Sequence, residues 1–411
     1  MSLRTFRNAI TLRPVRKRIR KFLYRNKNKR LADEIQKLYP ENSVLIIQKQ
    51  FFDKTGSACF NGGAERYMQD LATVLNKKGY QAVLIQIGSN KIWVQQVHHL
   101  RVVGCPTKKN DDYLDVISYI TKYKFVIYSG MYFWGTQLKH PNIMISHGIT
   151  WDTPDKNVDI SNIQKILADV DNFVSVDTNT ISWIRSTFSK SCQNISMRYI
   201  PNYVDNSEFN LDIHNNTTSC RRILFPRRAS PERGYWLLSS VIPQILERYD
   251  DVVIDLVGFA HGDSIKNDIK KLTTQYENRV QHFVVSPDKM SMFYSRSDIT
   301  LIPTLYSEGT SLSCLEAMAS GNVIIATNIG GLPNLVVDGY NGLLISPSEY
   351  ELLNSIDKVL SNRELSEKLA TNAKLVAKAF DGQKNGLTPS IIYNKEYMIW
   401  DCSVNYFIEK K

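Results

Sequence analysis

Apolar residues along this chain fall in short runs of strand length, separated by glycine-rich turns and by segments with helical spacing. Ser43-Val44-Leu45-Ile46-Ile47 is the first such run, and a stretch containing Gly56, Gly62 and Gly63 follows it. Residues 64–78 then set Tyr67, Leu71, Val74 and Leu75 on one helical face, with Gly79 as the stop. Gln81-Ala82-Val83-Leu84-Ile85 reads as the next strand, which completes a βαβ unit. Further buried strands are predicted at 125–128, 142–145 and 173–176.

The segment 206–219 breaks this rhythm with Asn210, Asn215, Asn216, Thr217 and Thr218. The alternation restarts beyond it. Strands are predicted at 222–225, 252–257, 280–285, 299–303 and 323–327. Helices are predicted at 235–248 and from Leu312 to the stop at Gly321. Strands alternating with helices on both sides of a linker predict an α/β protein of two Rossmann-like parallel-sheet domains. The division follows as an N-terminal arm 1–40, a domain 41–208, a linker 209–220, a domain 221–385, and a helical C-terminal segment 386–411 that crosses back to the N-terminal domain. Parallel sheets bind ligands beyond the carboxyl ends of their strands, so two facing domains would share a cleft.

Charge changes the picture at one place. The net charge is +11, but residues 1–30 hold twelve Lys and Arg and no acid, which leaves the rest close to neutral. A neutral body argues against a nucleic-acid enzyme, whose basic groups should line its binding face. The arm interleaves its bases with Phe6, Ile10, Leu12, Val15, Ile19, Phe22 and Leu23, and Pro14 limits it to two short helical pieces. It is expected to dock on an anionic membrane surface through residues 1–30, the alternative being a solubilising tail. No apolar run approaches the roughly 18 residues of a membrane span, and no apolar segment follows the basic one as in a secretory leader. A mitochondrial transit peptide would fit the missing acids. The six cysteines are widely spaced, without a CxxC pair, as in reduced thiols of a cytoplasmic protein that holds no metal through them.

Four clusters carry candidate chemistry. Glu308-Gly309-Thr310-Ser311-Leu312 leads into a helix bearing Glu316, eight residues after Glu308. A helix start offers N–H groups and a positive dipole end to a diphosphate, and a carboxylate beside it accepts hydrogen bonds from sugar hydroxyls. Ser313-x-x-Glu316 also matches a capping box, which needs no ligand. Arg228 and Arg233 flank a strand-to-helix turn, with the planar forks that suit phosphate. Gly62 and Gly63 open a helix and allow close backbone approach. His147 follows a buried strand and would sit at its carboxyl end.

Taken in order, these segments resemble the retaining glycosyltransferases of GT-B fold that carry an E-x7-E motif (glycosyltransferase family 4, or group 1), over most of residues 43–385. Glu308-Gly309 through Glu316-Ala317-Met318-Ala319-Ser320-Gly321 resembles the family's EGxxxxxxEAMAxG block. Ile329-Gly330-Gly331-Leu332-Pro333, Arg228-x4-Arg233-Gly234, Ile200-Pro201-Asn202-Tyr203-Val204-Asp205 and Gly62-Gly63-Ala64-Glu65-Arg66 match further family segments. The resemblance implies two facing Rossmann-like domains, 41–208 for the acceptor and 221–385 for the nucleotide sugar, with a cleft between them. It implies that Glu316 holds the ribose and Glu308 faces the donor sugar. Arg228 and Arg233 would bind the diphosphate with the backbone amides of Thr310, Ser311 and Leu312. His147 would lie near the transferred sugar, with Gly62 and Gly63 near donor and acceptor. The implied activity is retaining transfer of a hexose-type sugar, without a metal or other cofactor, to a glycan or lipid-linked glycan acceptor. The implied setting is bacterial cell-surface polysaccharide synthesis, peripheral on the cytoplasmic face of the membrane. Base and sugar would be read around Gly258, residues 282–286 and Glu308. Arg233 replaces the family's usual Lys, Ser311 and Tyr203 replace Gly, and Asn334 stands where Glu is common. The competing expectations are a nucleotide-sugar epimerase of the same architecture and a non-catalytic, membrane-associated partner subunit.

Overall fold

The computed structural model describes residues 25–60, 62–107, 110–131, 138–148, 152–154, 159–193, 195–209, 220–381, 390–394 and 397–401. Two compact units divide the chain. The first holds residues 1–145, 159–173 and 190–196, and the second holds 146–158, 174–189 and 197–411.

The first described element of this unit is a helix, α1, over 25–36. Its strands follow as β1 (Ser43–Gln48), β2 (Gln81–Ile87), β3 (Val94–Val97), β4 (Leu100–Cys105), β5 (Val126–Ser129) and β6 (Asn142–Ser146). With β7 (Asn172–Ser175) and β8 (Ser196–Tyr199) they form a sheet of order β3-β4-β2-β1-β5-β6-β7-β8. β1, β2, β4, β5 and β6 pair in parallel, and the short β3 runs antiparallel against β4. Every residue of β1, β5 and β6 is buried. That is why these strands read as unbroken apolar runs: helices cover both faces of a parallel sheet. The helix after β1, α2 (Gly63–Lys77), buries Tyr67, Met68, Leu71, Val74 and Leu75 along one stripe.

The expected arm 1–40 meets the body earlier than residue 41. Asn28, Leu31, Ala32 and Ile35 of α1 are buried, as is Tyr39 beyond it. Their i, i+3, i+4, i+7 spacing makes a packing stripe, which the surrounding Arg and Lys obscure in the sequence. Residues 1–24, with most of the basic segment, lie outside the described residues, as does most of the expected linker 209–220.

The second unit contains a helix, α3 (Thr178–Thr187), capped by Asp177, whose carboxylate accepts from the Thr180 amide at 2.6 Å. Its sheet holds β9 (Arg221–Phe225), β10 (Val252–Val257), β11 (Val280–Phe283), β12 (Ile299–Ile302), β13 (Val323–Thr327) and β14 (Leu343–Ile345). The order is β11-β10-β9-β12-β13-β14, with parallel pairing throughout. Helix α4 (Tyr235–Arg248) packs in a core on one face with Leu238, Ile242 and Ile245. Helix α5 (Leu312–Ser320) packs in a second core with Leu315, Met318 and Ile324. Counted in chain order, the sheet is doubly wound as 3-2-1-4-5-6, and its direction reverses between β9 and β12. Ligands of such sheets bind at that reversal, beyond the carboxyl ends of the strands.

The C-terminal expectation is corrected. Residues 390–394 and 397–401 are no helix but two antiparallel strands, β15 (Ser390–Asn394) and β16 (Tyr397–Asp401). Ile391-Ile392-Tyr393 and Tyr397-Met398-Ile399-Trp400 are rich in β-branched and aromatic residues, which favour strands. The flanking residues 386–389 and 402–411 lie outside the described residues.

Candidate active site

The loops leaving β9 and β12 meet at the reversal point of the second unit's sheet. Glu308 lies on the second loop, and its side chain is 7% exposed. Three donors converge on one of its oxygens, Oε2: Arg227 Nη2 at 2.6 Å, Arg233 Nη1 at 2.7 Å and the Thr304 hydroxyl at 2.8 Å. The other oxygen, Oε1, accepts no hydrogen bond among the described residues. Burial alone would raise the Glu308 pKa. The Arg227 and Arg233 charges and the donated hydrogen bonds outweigh it and hold the carboxyl below its ordinary value.

Arg227 is the partner that the sequence reading did not single out. Its side chain is also 7% exposed, and it donates to the Thr304 hydroxyl as well. Arg228, the expected phosphate ligand, faces the other way. It is 42% exposed, pairs with Glu232 at 3.0 Å and stacks over the Phe259 ring. Arg233 spans both roles, since it reaches the Ser307 carbonyl at 3.2 Å besides Glu308.

The backbone around Glu308 is fixed from several sides. Ser307 adopts φ +62°, a left-handed conformation that costs a non-glycine residue on the order of 1 kcal/mol or more. The Asp152 carboxylate accepts from its amide at 3.0 Å, and Arg233 donates to its carbonyl. Gly331 N–H donates to the Glu308 carbonyl at 2.9 Å. A Cβ at Gly330 would lie 2.2 Å from that carbonyl oxygen, and one at Gly331 would lie 2.6 Å from the Gly309 oxygen. The paired glycines of the Ile329–Pro333 segment are thus demanded by the close approach of two loops.

Helix α5 starts beside Glu308. Its N-cap is Ser311, whose hydroxyl accepts from the Cys314 amide at 3.4 Å. Ser313 and Glu316 do not form the capping box that their spacing matches: the cap falls two residues earlier, and Glu316 lies within the helix, as expected. Glu316 accepts instead from the buried Tyr294 hydroxyl at 2.9 Å. The Thr310 hydroxyl donates to the Val176 carbonyl, and the Thr310 carbonyl accepts from the Asn202 side-chain carboxamide at 2.7 Å. The amides of Leu312 and Ser313 open the helix, where no preceding turn supplies an acceptor. Asn334 closes the frame, since its amide group holds both the Thr178 backbone N–H, at 3.1 Å, and the Thr178 hydroxyl, at 2.7 Å.

His147 belongs to this unit. It follows β6, and a Cβ at Gly309 would lie 3.2 Å from its carbonyl oxygen. Burial pushes its imidazole pKa down to about 4, so the ring is neutral at physiological pH. A stability prediction follows. Between an ordinary value of 6.5 and about 4, the unfolded chain takes up a proton that the folded chain refuses. Stability should fall as pH drops through that window, by on the order of 3 kcal/mol in full. His147→Asn should remove that part of the slope in urea titrations from pH 7 to 4; an unchanged slope would contradict it.

Gly62 and Gly63 lie in the first unit, at the start of α2. The Gly62 amide donates to the Glu65 carboxylate at 3.0 Å, so Glu65 of the Gly-Gly-Ala-Glu-Arg segment caps its own helix. Among the described residues, no cluster of three or more His, Cys, Asp or Glu is arranged to hold a metal ion, and no helix is long and apolar enough to cross a membrane.

Residues 206–376 match the family described as glycosyl transferases group 1. Among curated relatives, the lipopolysaccharide 1,2-N-acetylglucosaminetransferase of Salmonella typhimurium is 28% identical over 185 residues, or 43% of this chain and 48% of that protein. The chain spans less than half the length of the first curated relatives it matches. Among solved structures, sucrose-phosphate synthase from Thermosynechococcus elongatus superposes with a TM-score of 0.66 at 17% identity, over 84% of this chain and 96% of that one. Anabaena HepE in complex with UDP superposes with a TM-score of 0.62 at 18% identity, over 82% and 95%. At such identities the likeness establishes the fold, which is that of the GT-B glycosyltransferases.

Proposed function

We propose, from the match of residues 206–376 to the group 1 glycosyl transferases, that this chain moves a sugar from a nucleotide-diphosphate sugar to a glycan or lipid-linked glycan acceptor. One observation carries the reading. At the reversal point of the sheet, Glu308 is clamped through a single oxygen by Arg227, Arg233 and Thr304, beside the open start of α5. That arrangement aims an ionised acceptor, held below its ordinary pKa, and a positive helix end at one place. A sugar diphosphate has the complementary pattern of hydroxyl donors and negative oxygens.

On this reading Glu308 accepts from the donor sugar through Oε1, and Glu316 holds the ribose. Arg228 and Arg233, with the amides of Thr310, Ser311 and Leu312, hold the diphosphate and stabilise it as it leaves. Arg228 is exposed and lightly paired, so it is free to swing from Glu232 to a phosphate. Exposed Phe259 and Val284, after β10 and β11, offer apolar surface to the base. Neutral His147 supplies a hydrogen bond to the transferred sugar without adding charge. The bond from the anomeric carbon to the leaving phosphate breaks as the acceptor oxygen bonds on the same face. The acceptor's proton passes to that phosphate, and configuration is retained. The positive charge needed comes from arginine and the helix, so turnover should persist in EDTA.

The acceptor reading draws support from the similarity to a lipopolysaccharide N-acetylglucosaminetransferase and from the basic N-terminal segment. Docking of residues 1–30 on an anionic membrane would bring a lipid-anchored acceptor to the enzyme. Its setting would then be the cytoplasmic face of a bacterial membrane, in cell-surface polysaccharide synthesis.

The test is release of nucleoside diphosphate from a panel of UDP-, GDP- and dTDP-sugars, with an anomer assignment of the product by NMR. Full interconversion of a sugar without any acceptor would identify an epimerase instead. Glu316→Gln should keep the helix and the contact with Tyr294 while raising the donor KM about tenfold, since a charged acceptor is lost. An unchanged KM would remove Glu316 from donor binding.

A further inference from the structure

We propose that the first unit carries its own phosphate site, in a cavity between the exposed face of α1 and the loops that leave β1, β2 and β4. The cavity has a volume of about 760 Å³. Lys27 and Arg30 project into it from α1, Lys54 from the loop after β1, Ser89 and Asn90 from the loop after β2, and Thr107 from beyond β4. These loops lie at the carboxyl ends of three parallel strands, where α/β sheets take ligands. Three cations face one acid, Glu34. None of the three cations makes an ion pair among the described residues, so their charge is uncommitted.

The walls are rigid. The buried Gln86 amide group fixes the start of the β1 loop, taking the Phe51 and Phe52 amides at 3.0 and 2.7 Å and donating to the Phe52 carbonyl at 2.9 Å. The Lys54 carbonyl accepts from the Asn90 amide at 3.0 Å and from the Trp93 indole at 3.2 Å, which ties two of the cavity's loops together. The Thr107 hydroxyl accepts from the Gly88 amide at 3.3 Å and keeps its proton to donate. Helix α1 is anchored through Asn28, Leu31, Ala32 and Ile35, so Lys27 and Arg30 are held on its outer side. Three cations on two separate elements, with a hydroxyl and a carboxamide between them, suit the tetrahedral oxygens of a phosphoryl group. The ligand is therefore a phosphoester, carried either by a lipid head group or by a soluble molecule.

This site is independent of the nucleotide reading of the second unit, and its test keeps the two apart. Binding of inorganic phosphate to the full chain is measured by titration calorimetry with UDP present throughout. The triple variant Lys27→Gln/Arg30→Gln/Lys54→Gln should weaken phosphate binding at least about tenfold, because three charge-assisted contacts are lost. Its melting temperature and its stabilisation by UDP should match the parent's. Arg25→Gln/Lys29→Gln removes charge from the same helix outside the cavity and should leave phosphate affinity within about twofold. If the triple variant does not fold, Lys54→Gln alone should still weaken binding measurably. Sedimentation with phosphatidate-containing against purely phosphatidylcholine vesicles identifies the source. Loss of phosphatidate binding in the triple variant marks a lipid head group; retained vesicle binding with lost phosphate binding marks a soluble phosphoester. Absent phosphate binding in the parent, or equal binding in parent and triple variant, overturns the proposal.

Discussion

Glu308→Gln should destabilise the second unit by roughly 3–5 kcal/mol, the cost of leaving a buried cation without its partner. Arg227 is as buried as the carboxylate it pairs with, and neither it nor Arg233 forms a second ion pair among the described residues. Glutamine preserves the shape and one acceptor, so the loss isolates charge. In thermal unfolding this should appear as a melting temperature lower by on the order of 10 °C. The pair also sets an acid limit. Glu308 titrates below its ordinary value of 4.5 in the folded state, so its contribution is complete above that pH and is lost as pH falls below it. The variant should therefore unfold with less dependence on pH below 4.5 than the parent. A melting temperature unchanged within about a degree would show that the two arginines do not need this carboxylate.

Gly234→Ala should be comparably damaging, for a steric reason. Gly234 links Arg233 to α4 with φ +77°, and a Cβ there would lie 1.7 Å from the Pro303 carbonyl oxygen. The left-handed conformation alone costs an L-residue roughly 1–2 kcal/mol. The contact is with backbone at the end of β12, so no side chain can swing away, and a total of roughly 3–5 kcal/mol is expected. Because the β9 and β12 loops must part, Arg233 should lose its grip on Glu308 and nucleotide affinity should fall with stability. Gly339→Ala is the control: its φ is +69°, but a Cβ there meets nothing within 4 Å. It should cost only the conformational term. Equal costs at the two glycines, measured by urea unfolding, would show that the turn yields easily.

Much of the second unit was legible because its strands are buried on both faces. An apolar run such as Val323–Thr327 needs no long-range information to be read as a strand. Short or exposed strands were not legible: Val94–Val97 is largely exposed, and Leu343–Ile345 has only three residues. At the site, Glu308, Arg233 and the start of α5 could be read from order and spacing. The division of labour between Arg227 and Arg228 could not. Adjacent residues leaving a strand point to opposite sides, and nothing local says which side faces the carboxylate. Asp152 holding Ser307 is a contact across 155 positions, and the strain at Ser307 has no sequence signature. The capping box failed for a related reason. Ser311 and Ser313 are equal candidates on paper, and the choice follows from where the loop from β12 lets the helix begin.

The central claim is that the second unit binds a nucleoside diphosphate and the sugar it carries. Thermal stabilisation by UDP, GDP, dTDP and their sugar conjugates tests it most directly. A ligand at a hundred times its Kd adds about 2.7 kcal/mol, or roughly 5–10 °C for a domain of this size. One base should stabilise the parent by that amount, and Arg228→Ala, with its fold intact, should need on the order of 10- to 100-fold more ligand for the same shift. No shift with any of these ligands, or the same titration in the parent and in Arg228→Ala, would contradict the account.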